Sequence, residues 1–136
     1  MIFTFRTLPD RGRIMEIFRF ERAERLLNRH GSIGLHATRV AAGEGQLQVT
    51  CLTVEPGGVI GTHPATAAQL FLVVTGSGWV AGQDGNRLPI SAGQGACWEA
   101  SEDHTTGTDT GLTALVLEGT RLSLFEPRTS AGEAGR

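Results

Sequence analysis

The sequence contains no lysine and no tyrosine, and all 12 of its basic residues are arginines. Without lysine, Schiff-base and lysine-base chemistry are excluded. Cysteine is scarce as well: Cys51 and Cys97 are the only two, both lie in strand-like segments, and they match no short-spaced zinc pattern, which reads as free buried thiols. No apolar run is long enough for a signal peptide or a membrane span, so a cytoplasmic protein without a membrane partner is expected. The formal net charge is -2, and the one basic cluster (Arg6, Arg11, Arg13) lacks the breadth and aromatic interleaving of a nucleic-acid face. No repeat of solenoid length is present. A chain of 136 residues buries one core and supports one functional site.

What the chain does have is glycine, 19 residues of it, and short apolar segments between glycine-rich turns. One stretch, "FERAERLLNRHG", reads as a short N-terminal helix, with Ala23, Leu26 and Leu27 on one stripe and Gly31 as its C-cap. The rest reads as strands: "LHATRVA", "QLQVTCLTVE", a turn at "EPGG", then "AQLFLVVT", "GWVAG", a hairpin at "QDGN", "RLPIS", "ACWEA", "HTTGTD", "LTALVLEG" and "RLSLF". About nine or ten short strands indicate an all-β, antiparallel jelly-roll barrel. The expected organisation is an N-terminal extension with the short helix over 1–32, a barrel over 33–126, and a small, polar, flexible tail over 127–136. Met15 is a second candidate start beside Met1, which makes residues 1–14 a candidate extension.

The segment "GTHPATAAQLFLVVTGSG" (61–78) places a histidine ahead of an apolar run that closes on glycines. If its backbone is extended from 63 to 75, His63, Ala65, Gln69, Phe71, Val73 and Thr75 share one face, while Leu70, Leu72 and Val74 take the other. Two apolar faces suit a strand with the barrel interior on one side and a second sheet or a partner subunit on the other, hence an expected homodimer.

These residues resemble the cupins, small barrels whose first motif runs from a glycine through a His-x-His pair and a glutamate to a closing glycine. Gly57, His63, Gln69 and Gly76 stand at the matching positions. The second motif runs from a glycine past a proline and another glycine to a histidine; in "GQGACWEASEDH", Gly93 and His104 are in register, with Glu99 and Ser101 replacing the proline and second glycine. The resemblance covers about residues 45–120 and implies the jelly-roll fold, structural turns at Gly57, Gly76 and Gly93, and a divalent metal (Zn, Fe, Mn, Ni or Cu) on His63, Gln69 and His104. It also departs from its pattern: Ala65 replaces the second histidine and Gln69 the glutamate, leaving a neutral and therefore weak ligand set.

Each residue has another reading. His63 and His104 also suit a polar pocket that Gln69 bridges by hydrogen bonds. Glu99, Glu102 and Asp103 lie near His104 in sequence, and Glu99 is the one singled out as a replacement carboxylate. Glu99 shares a strand face with Cys97, so it points inward only if Cys97 does, and both are assigned to the pocket with Phe71 and Val73. Trp79 joins Phe71 as a candidate cavity wall or core residue. His30 and His36 fall outside both motifs and receive no role.

Three functions fit. The first is a small-molecule-binding barrel whose degenerate metal site need not be catalytic. The second is a metal-dependent oxygenase with open coordination positions, and the third a metal-free isomerase or lyase using His63 or His104 as base.

Overall fold

Period-two alternation becomes thirteen strands in a computed structural model that describes residues 2–8, 15–21, 25–27 and 29–128. The N-terminal strands are β1 (Ile2–Leu8), β2 (Glu16–Arg19), β3 (Arg25–Leu27), β4 (Leu35–Ala37) and β5 (Ala41–Gly43). The barrel follows with β6 (Leu47–Val54), β7 (Val59–Pro64), β8 (Ala68–Ala81), β9 (Arg87–Ser91) and β10 (Gln94–Trp98). It is completed by β11 (Asp103–Gly107), β12 (Leu112–Gly119) and β13 (Leu122–Arg128). Of the expected flexible tail, Pro127 and Arg128 belong to β13, and residues 129–136 lie outside the described residues. Residues 2–8 of the candidate extension pair with β13 from Ile2↔Arg128 to Leu8↔Leu122.

The expected N-terminal helix is a misreading. Among the described residues of that stretch, Arg25–Leu27 pairs antiparallel with Leu35–Ala37, and only Arg29–Gly31 makes a turn of 3-10 helix. A helix of a dozen residues is marginal without packing to support it. The chain instead alternates before it: Ile17 packs on the inner core, Phe18 and Phe20 on the outer one, an arrangement only extended backbone permits. "LHATRVA" also splits, β4 pairing with β3 and β5 with β13.

β8 organises the barrel. Its first half pairs with β10 and β12, and its second half with β9 and β11, so one strand of 14 residues serves two sheets, β2-β10-β8-β12-β6 and β9-β8-β11-β7. The crossing lies at Gly76, whose φ is 84° and whose α-carbon lies so close to Gly111 that an added Cβ would sit 2.2 Å from the Gly111 carbonyl oxygen. Only glycine meets both conditions. Gly57 and Gly93, the other two turn glycines, also have positive φ, 80° and 88°.

Two apolar clusters follow from the alternation. Inside lie Phe71, Val73, Val80, Trp98, Ala114 and Val116; outside lie Ala68, Leu70, Leu72, Cys97, Leu122 and Leu124. Burying each large side chain contributes about 1.5–3 kcal/mol. The outer face of β8, which the sequence left to a second sheet or a partner subunit, is thus covered in this chain by its own β13, with Ala41 of β5 packed alongside. Among the described residues, no helix is long and apolar enough to cross a membrane.

Candidate functional site

Two cross-strand pairs bring the site together. β7 and β11 run antiparallel with His63 directly opposite His104, and directly opposed residues project to the same face. On the other sheet, β8 and β12 place Gln69 directly opposite Glu118. All four residues line one cavity of about 110 Å³, whose walls include Phe71 and Thr106. That volume has room for about three or four waters, or a ligand of a few non-hydrogen atoms. A wider groove of about 470 Å³, lined by Gln46, Gln48, Thr66 and Thr120 among others, adjoins it at Glu118.

The histidines are held alike. The Nδ1 of His63 lies 2.7 Å from the Gly61 carbonyl oxygen, and the Nδ1 of His104 lies 3.2 Å from that of Glu102. A carbonyl only accepts, so each Nδ1 carries the proton and donates, which leaves the Nε2 lone pair of a neutral ring free. The rings meet with centroids 4.3 Å apart at 57°, and Trp98 stacks on His104 with centroids 4.5 Å apart at 29°. His104 is buried and His63 exposed, so the pair spans the cavity wall from core to mouth. Burial holds the His104 pKa below its ordinary value, and the nearby His63 lowers it further; the Glu102 backbone bond and the carboxylates of Glu102 and Glu118 oppose this.

Of the residues assigned from sequence, His63, Gln69, His104 and Phe71 converge on the cavity. His63 and Gln69 do not share one continuous strand, however, because residues 65–67 interrupt it between β7 and β8. Val73 packs in the inner core beside the cavity without lining it. Cys97 is corrected: it opposes Leu70 across β10 and β8, and so belongs to the outer cluster. Glu99 does not line the cavity either; its Oε1 is buried and has no hydrogen-bond partner among the described residues. Trp79 is half-buried under the Arg87 guanidinium, 3.8 Å above its ring.

Glu118 was missed. The signal was present: Leu112, Ala114 and Val116 alternate inward along β12, and the next position in that series is Glu118.

Among the described residues, no three His, Cys, Asp or Glu side chains stand together closely enough to hold a metal ion. The donors still fit one. Two imidazole Nε2 lone pairs with hydrogen-bonded Nδ1 partners suit a divalent transition metal, and the Gln69 amide oxygen is a third, neutral donor.

No family model and no curated protein matches this chain. Solved structures do. A conserved protein with a double-stranded β-helix domain from Klebsiella pneumoniae is similar with a TM-score of 0.51 at 17% identity, covering 65% of this chain and 82% of that one. A cupin superfamily protein from Desulfitobacterium hafniense aligns with a TM-score of 0.50 at 14% identity over 76% of this chain and 96% of its own. An RmlC-like cupin from Shewanella frigidimarina aligns with a TM-score of 0.50 at 21% identity, over 53% and 64%. At these identities the likeness is one of fold, and the fold is that of the cupins.

Proposed function

We propose that this chain, a cupin by fold, binds a divalent metal ion weakly between His63 and His104 and takes a small molecule in the adjoining cavity. The observation that carries this reading is the matched pair of Nδ1 tethers on two histidines that line one cavity, each of which leaves its Nε2 lone pair free. Imidazole nitrogens suit Zn, Fe, Mn, Ni or Cu, and Gln69 adds a neutral oxygen. A bound ion would polarise an oxygen of the small molecule as a Lewis acid. The chain's own residues orient that molecule: Phe71 gives the cavity an apolar wall, and Thr106 and Gln69 offer hydrogen bonds.

Titration of zinc chloride into chelator-stripped protein tests this. The wild type is expected to bind one ion, with less than the roughly 10–16 kcal/mol of structural zinc sites, and His63→Ala and His104→Ala are each expected to abolish the heat. Binding that survives both substitutions, or none in the wild type, overturns the reading.

A second reading draws on one observation, the neutral buried ring of His104 with Nε2 free to accept a proton. It describes a metal-free isomerase or lyase with His104 as base. Activity that survives exhaustive chelation and is lost in His104→Ala would favour it.

A further inference from the structure

Two neutral imidazoles and an amide bring no charge to offset a dication, and a buried charge without compensation is costly. The acidic residues near His104 are few, and most are committed elsewhere. Glu102 is buried but accepts the Met15 N–H at Oε2 and the Glu99 N–H at Oε1, both at 3.0 Å, which makes it a clamp for backbone. Glu99 lies outside the cavity. Asp103 directly precedes the inward-facing His104 on β11 and does not line the cavity. Glu118 alone among these carboxylates lines it.

We infer that Glu118 is the charge-compensating carboxylate of this site, acting from β12 while Gln69, directly opposite on β8, supplies the neutral donor. The inference rests on the metal reading above and adds to it a residue and a selectivity. Glu118 does not stand as a third coordinating group beside the histidines, so its part is the field of a nearby anion rather than a bond to the ion. One carboxylate oxygen is loosely held, accepting from the Thr66 hydroxyl at a long 3.4 Å, and the residue lines both the cavity and the outer groove. A carboxylate at that junction admits cations and repels anions.

The cross-strand register supplies a decisive exchange. Because Gln69 and Glu118 are directly opposed and line the same cavity, the double variant Gln69→Glu with Glu118→Gln moves the charge across one ladder step while keeping the same two groups. Zinc chloride is titrated into chelator-stripped wild type, Glu118→Gln and the exchange variant at one near-neutral pH, with circular dichroism and melting recorded for each. Wild-type binding should fall by about 10- to 100-fold in Glu118→Gln, as for other outer-shell partners, while the metal-free melt stays close to wild type. The exchange variant should recover most of the affinity. Unchanged affinity in Glu118→Gln, or an exchange variant that folds yet binds as weakly as Glu118→Gln, overturns the inference while leaving the metal reading intact. Failure of the wild type to bind overturns the metal reading and this inference with it.

Discussion

His104 carries its burial into the pH dependence of stability. Desolvation depresses its pKa in the folded chain below the ordinary 6.5, against smaller raising effects from the Glu102 carbonyl and the nearby carboxylates. As pH falls through the ordinary imidazole range, the unfolded chain takes up the proton more readily than the folded one. Stability therefore rises with pH through that window and is fully present above about pH 6.5. Thermal melts of the metal-free protein between about pH 7.5 and 5.5 should show the midpoint falling on acidification, by at most about 1.4 kcal/mol per pH unit from this group. The slope should flatten in His104→Gln; a midpoint that holds or rises on acidification contradicts the assignment. Residue by residue, the sequence was readable where neighbours along a strand decide. His63 and His104 stand out by motif spacing, but nearness to His104 in sequence singles out Glu99 among Glu99, Glu102 and Asp103 and leaves Glu118 unread. Nearness in sequence does not decide which side chains meet: Trp98 takes the inward place, Cys97 the outward one, and Glu99 stays outside the cavity, while Glu118 reaches it as the next inward position of the β12 series, set opposite Gln69 by a pairing distant in sequence.

β8 is where the elements are most tightly specified. Its two halves pair with different sheets, and the bend passes through Gly76 against the Gly111 carbonyl. Gly76→Ala combines a left-handed backbone with a contact that must open, so a loss of about 2–3 kcal/mol or more is expected. In a chain of this size that lowers the melting midpoint by about 5–10 °C. Gly85→Ala makes a useful comparison, since Gly85 has a similar φ of 75° but nothing within 4 Å of an added Cβ. It should cost less, and equal losses would mean that the close approach at Gly76 carries no weight. Strand elements were legible because a half-buried strand writes its pleat into the sequence, as in Leu112, Ala114 and Val116. Residues 20–31 were not, because the spacing of Ala23, Leu26 and Leu27 suits a helical stripe equally well, and the pairing of β3 with β4 that decides it lies outside any window. The break between β7 and β8 was hidden likewise, since both flanking segments alternate in phase and still deliver His63 and Gln69 to one cavity.

At the scale of the whole molecule, the jelly roll sets one pair of polar groups from each sheet against the other inside an apolar barrel. His63 and His104 come from β7 and β11, Gln69 and Glu118 from β8 and β12, and Phe71, Trp98 and Val116 are packed around them. The account depends on both histidines being neutral with the proton on Nδ1, because only then are two Nε2 lone pairs free on residues that line the same cavity. Long-range proton–nitrogen correlation spectra of the metal-free protein, with His63→Ala and His104→Ala for assignment, read that tautomer directly. The account expects both rings to carry the proton on Nδ1 at neutral pH and both Nε2 resonances to shift on addition of zinc. Protons on Nε2, or Nε2 resonances that zinc leaves in place, would contradict it.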